Sequence, residues 1–147
     1  MENFITFFSR DMERLIEEVE QTSDDILWKT ENGTVNSCGI FAQHIAGNLK
    51  HFIGSVVGNT GYERDREREF TNTGQSKEKL IGELQETKAM IQDVLSGIDE
   101  ETLEEDYPLD IPWDYSIREL LLHLYGHLNY HRGQYNYLRR ILEENKS

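Results

Sequence analysis

The chain has 147 residues, with 28 acidic against 15 basic side chains and a formal net charge of −13. That length fits one domain, residues 1–147, able to bury about 70% of the surface its unfolded chain exposes, and the negative balance argues against a nucleic-acid partner. Cys38 has no second cysteine to pair with, Met1 to Arg10 lacks the pattern of a signal peptide, and no run approaches the roughly 18 apolar residues that span a bilayer. The expectation is a cytoplasmic protein with no membrane contact.

In chain order, Phe4, Ile5, Phe8, Met12, Leu15, Ile16 and Val19 recur at helical steps and predict a first helix from about Phe4 to Glu20. A polar connection from Thr22 to Thr34 follows, holding Trp28 and the turn pair Asn32-Gly33. Asn36 or Ser37 can cap a second helix whose inner side carries Ile40, Phe41, Ile45, Leu49, Phe52, Ile53, Val56 and Val57, and which should stop near Gly58. Residues Asn59 to Gln75 read as a loop with an alternating charge string, Arg64 to Glu69, anchored by Phe70. Ser76 caps a third helix with the stripe Leu80, Ile81, Leu84, Ile91, Val94, Leu95 and Ile98. Both prolines, Pro108 and Pro112, fall in the next connection with Trp113. Ser116 and Glu119 then have capping-box spacing at the start of the longest apolar pattern, which reaches about Leu142. Four amphipathic helices and no strand pattern predict an all-α protein, an antiparallel four-helix bundle.

The last helix carries His123, His127 and His131 at four-residue spacing. At about 100° per residue, His127 and His131 fall near the centre of the face defined by Ile117, Leu120, Leu124, Leu138 and Leu142, while His123 lies toward its edge. On the second helix His44 and His51 share a face, and His44 follows Ile40 by one turn, on the core side. A single histidine on an apolar face is ordinarily a hydrogen-bonded core residue. Several together need a shared explanation, because an unpartnered buried imidazole costs about 1–3 kcal/mol. Metal coordination supplies one: neutral imidazole binds zinc, nickel, copper or iron(II), and two ligands from one helix with one from another leave coordination positions open.

The segment His127-Leu128-Asn129-Tyr130-His131-Arg132-Gly133-Gln134 resembles the HxxxHRGQ signature on the last helix of the DinB-like superfamily. Asn36-Ser37, then His44-Ile45-Ala46-Gly47-Asn48-Leu49, Arg64-Asp65-Arg66 and Glu69-Phe70 resemble a subgroup of it, so the similarity extends over most of the chain. The resemblance implies a bundle of up-down-down-up order that binds a divalent metal through three histidines, by position His44, His127 and His131. Many relatives have a further histidine where this chain has Tyr130. Homodimers are common in the superfamily, and its characterised members include metal-dependent transferases of small thiols.

Asn48, Tyr130 and Gln134 are candidates to orient a ligand from outside the coordination sphere, with purely structural roles as the alternative. His51 and His123 are alternate ligands or ordinary polar residues. Cys38, in the first turn of the second helix, is either a small core residue or a thiolate favoured by the helix dipole. The charge string either shapes the site entrance or a dimer contact, or is a solvated loop; Trp28 and Trp113 read as packing residues at the bundle ends. The functional expectation is a metal-dependent enzyme, metal zinc, nickel or iron, that activates a small thiol or water for transfer or hydrolysis on a small molecule. A binding module that holds a metal or ligand without turnover is the first alternative, and a helical dimer with hydrogen-bonded histidines and no metal is the second.

Overall fold

Ser37, Ser76 and Ser116 each accept a backbone N–H from three residues ahead and start a helix, so the three caps fall where the sequence puts them. At Ser116 the box is complete, since Glu119 reaches back to the Ser116 backbone N–H at 2.9 Å. The computed structural model describes residues 1–146; Ser147, the last position of the expected domain, lies outside the described residues. The long helices are α1 (Glu2–Gln21), α3 (Cys38–Leu49), α5 (Lys77–Ser96) and α7 (Ile117–Glu144). Short helices α2 (Asp24–Leu27), α4 (Arg66–Thr71) and α6 (Glu100–Leu103) occupy stretches that read as connections in the sequence. Among the described residues there is no strand, and Asp106 and Ser116 form one isolated bridge that closes the proline-bearing loop.

The sequence predicts one inner face for the second helix, but every residue of α3 is buried. This helix lies at the centre, packed against α4, α5 and α7, with lighter contact to α1, and its composition of Ile, Phe, Ala, Gly and Leu suits burial all round. From Lys50 to Val57 it continues as a wider π-helix before Gly58. Gly39 admits the ring of Trp28, which a side chain at that position would displace. Trp28 therefore packs as expected, whereas Trp113 is half exposed and lies on Tyr115 and His123.

Helix α1 packs mainly on α5 through Phe8, Met12, Leu15, Ile16 and Val19. It also buries a carboxylate. Asp11, 1% exposed, accepts hydrogen bonds from Arg10 Nε at 2.9 Å, Asn129 Nδ2 at 3.1 Å and the Tyr125 hydroxyl, which ties α1 to α7. Burial alone would raise this carboxyl group's pKa, but those hydrogen bonds outweigh it and hold Asp11 far below the usual carboxylate range.

Candidate metal centre

The contact between α3 and α7 places three imidazoles together. His44 is buried at 6% exposure in the middle of α3, and His127 and His131 are half-buried, one turn apart on α7. Their ligand atoms all lie within 4.8 Å of one another. The two α7 histidines do not sit at the centre of the inner face, as the helical wheel predicts. That centre is filled by Leu121, Leu124, Leu128 and Tyr135, and the histidines border it on the side of α3.

Partners on the far nitrogens decide what the rings present to one another. His44 Nδ1 is 2.9 Å from Glu69 Oε2, and His131 Nδ1 is 2.7 Å from Gln134 Oε1. An ionised carboxylate and an amide oxygen only accept, so each Nδ1 donates, and in the neutral ring, the form that binds a metal, each Nε2 presents the lone pair. Those lone pairs face His127 Nε2 at 3.2 Å and 3.1 Å. One proton on His127 Nε2 satisfies one of them and leaves the other confronting a nitrogen. A cation among the three nitrogens resolves this. Two nitrogens bound to one zinc ion at 2.0–2.1 Å and near the tetrahedral angle lie about 3.3 Å apart, close to the spacing seen. The donor set therefore fits a divalent metal of the imidazole-binding kind.

Glu69 is the member that sequence reasoning does not find. It belongs to the alternating string expected to be solvated or at a site entrance, yet it is 6% exposed. Asp65 caps α4 by accepting from the Arg68 backbone N–H, and that short helix turns Glu69 inward. Arg64 holds the carboxylate with two bonds, Nε to Oε1 at 2.7 Å and Nη2 to Oε2 at 2.9 Å. Gly47, two residues before the end of α3, leaves the space the carboxylate fills, and a side chain there would collide with it. Burial would raise the pKa of Glu69, but the hydrogen bonds from His44 and Arg64 prevail and keep it below the usual value. A carboxylate behind a ligating histidine fixes the ring's tautomer and orientation. The signals in the sequence are the family resemblance over Glu69-Phe70, which assigns Glu69 no role, and the anchor Phe70, whose ring packs 4.7 Å from that of His44.

Burial, followed by the nearness of His131 and His44, pushes the His127 pKa from 6.5 down to about 4, and burial also lowers that of His131. Both shifts favour the neutral ring, the form that binds a metal. The remaining candidates divide. Gln134 bonds His131 and also reaches toward the Tyr130 hydroxyl at 3.5 Å, and the exposed Tyr130 ring sits 5.1 Å from that of His131. Asn48 is buried one turn from His44, and among the described residues its Oδ1 has no hydrogen-bond partner. His51 lies edge-on to Phe52, and His123 lies against Trp113 and Tyr115, so neither joins the cluster. Cys38 is fully buried, and burial pushes its thiol up to about 12, which removes the thiolate reading.

A family model described as "Protein of unknown function (DUF1572)" matches residues 2–147. Among solved structures, a DinB-like protein from Bacillus cereus superimposes with a TM-score of 0.77 at 19% identity, covering 97% of this chain and 93% of that one. A DinB-like protein from Bacillus subtilis does so with a TM-score of 0.73 at 18% identity, covering 96% of this chain and 92% of the other. At such identities the likeness is one of fold. No curated protein matches the chain, and among the described residues no helix is long and apolar enough to cross a membrane.

Proposed function

This chain belongs to the family of proteins of unknown function DUF1572, and from that premise we propose that it is a metal-dependent enzyme of DinB-like fold that activates a small thiol for transfer to a small-molecule electrophile. His44, His127 and His131 are its metal ligands. The observation that carries the reading is the convergence of the His44 and His131 Nε2 atoms on His127 Nε2, with the outer nitrogens of both rings engaged by Glu69 and Gln134.

A divalent ion held there, zinc, nickel or iron, supplies Lewis acidity that favours the anionic form of a sulfur or oxygen nucleophile. The protein supplies orientation and a shielded setting. Glu69 and Arg64 fix the His44 ring, Gln134 fixes that of His131, and Phe41 and Phe70 lie against the imidazoles. Hydrolysis asks in addition for a free general base. Glu69, the carboxylate that touches the cluster, is already engaged at both oxygens by His44 and Arg64. A thiol needs less help than water to ionise, which favours thiol activation.

The same reading arranges α1, α3 with its π-helical continuation, α5 and α7 as a four-helix bundle of up-down-down-up order, one domain over residues 1–147. It takes the protein as a cytoplasmic homodimer without nucleic-acid or membrane partners; the charge of −13 supports the absence of nucleic acid, the lone cysteine the cytoplasm, and the resemblance to DinB-like proteins the homodimer. The test is turnover of small thiols with 1-chloro-2,4-dinitrobenzene by metal-loaded protein. The expected result is metal-dependent conjugation that the His127→Ala variant loses. Stoichiometric metal with no turnover of any thiol and electrophile pair would replace this reading with that of a binding protein.

A further inference from the structure

His131 is a wall of the histidine cluster and also of a groove. With Val35, Phe41, Gln134, Tyr137 and Leu138 it borders an open cavity of about 770 Å³ between the turn at residues 33–36 and the C-terminal half of α7. Small-molecule sites typically span about 300–1,000 Å³. The groove's chemistry is unusual for this chain. Lys, Arg, Asp and Glu make up 29% of the sequence, yet none of the groove's lining residues is one of them. Three lining side chains are among the most exposed large apolar groups described, Val35 at 91%, Tyr130 at 64% and Tyr137 at 68%. Its polar groups, such as Gln134 and Asn36, are neutral. Phe41 is stacked on His131 with ring centres 5.7 Å apart, so an apolar surface runs up to the cluster.

The other cavities differ in the relevant respects. One behind Glu69 has about 180 Å³ and is bordered by Lys50, Glu63, Asp65, Arg68 and Glu83. Another of about 680 Å³, beside Val56, Asp93 and Ile117, has no histidine in its wall.

The geometry points to the groove as the seat of the substrate's body, an uncharged aromatic or aliphatic small molecule whose polar head lies beside the histidine cluster. This inference rests on the metal reading above. A carboxylate or phosphate on the body would lose water there without meeting a cation. A flat apolar body covers Val35, Tyr130 and Tyr137, the exposed apolar side chains of the wall, and gains the free energy of removing them from water. The groove selects by the absence of charge, and the metal selects the head.

The full chain loaded with cobalt(II) provides the test, read by calorimetry and by the visible bands of the cobalt. The probes are imidazole, 4-phenylimidazole and 4-(imidazol-4-yl)benzoate. The expected result is that 4-phenylimidazole binds at least about tenfold tighter than imidazole, and that the benzoate loses this advantage. Tyr137→Glu and Val35→Glu should leave cobalt uptake and imidazole affinity unchanged and cut the phenyl advantage below about threefold. Equal affinities of the phenyl and parent probes on cobalt-loaded wild type overturn the groove and leave the metal reading intact. So does a phenyl advantage that survives both substitutions, or a dimer that separates on Tyr137→Glu with no phenyl preference in wild type. Failure to take up cobalt overturns the metal reading and the groove with it.

Discussion

Against α1, helix α7 carries Tyr125 and Asn129, which with Arg10 and Arg14 surround the Asp11 carboxylate; against α3 it carries His127 and His131, which meet His44. Both clusters place ionisable groups between long helices, and they are completed differently. Every partner of Asp11 donates and Asp11 accepts, so the network closes on itself and works as a lock between two helices. In the histidine cluster the outer nitrogens are satisfied by Glu69 and Gln134, and that leaves two inner lone pairs facing a third nitrogen. Three converging imidazole nitrogens are a donor set that could hold a cation. The complete cluster needs nothing more.

Substitutions that act on one cluster and spare the other test this contrast. The largest effect is expected from Glu69→Gln, which keeps the side chain's size and removes the charge that holds the His44 Nδ1 proton. Metal affinity should fall about 10–100-fold, measured by competition with a chelator, while helical content stays as in wild type. Asp11→Asn should do the reverse. Unfolding in urea should show a loss of about 1–3 kcal/mol, because the amide removes the negative charge and one of the two oxygens that accept from Arg10, Tyr125 and Asn129, with metal affinity unchanged.

Acid titration of the metal-free protein separates the clusters a second way. Both groups are depressed in the folded state, so each contributes stability that is complete above its unfolded pKa and lost as pH falls through its folded one. For His127 the window runs from 6.5 down to about 4. For Asp11 it opens near 3.8 and extends further into acid. Urea midpoints should therefore fall in two stages, with His127→Gln flattening the upper and Asp11→Asn the lower. A single stage, unaltered by either substitution, would contradict the assignment. The smallest effects belong to His51→Ala and His123→Ala, which lie outside the cluster and should leave metal affinity within about twofold of wild type.

Much of this contrast is legible in the sequence on one side and hidden on the other. Ser37, Ser76 and Ser116 mark helix starts through local chemistry, and the period of the apolar residues carries the long helices. His44, His127 and His131 can be picked out because helical spacing is itself a statement about which side chains share a face. Asp11 falls among apolar residues of α1 at a position no periodicity marks as polar and buried. Glu69 is hidden for another reason. Alternation of Arg and Glu reads as solvation, and only the space left by Gly47 across the α3–α4 contact makes room for that carboxylate. The short helices α2, α4 and α6 have four to six residues, too few to show a period. The π-helical stretch after Leu49 differs from an α-helix in hydrogen bonding, which side-chain type does not report.

The resemblance to DinB-like proteins rests in the sequence on the HxxxHRGQ segment, and in three dimensions on the superposition of nearly the whole chain. Within that fold Glu69 and Gln134 decide which nitrogens the three histidines present. The most direct test of this is the metal content of wild-type protein purified without a nickel column, alongside titration of the metal-free form with zinc or cobalt. The account predicts one divalent ion per chain, lost in His131→Ala. Wild-type protein that carries no stoichiometric metal and takes up none on titration would contradict it.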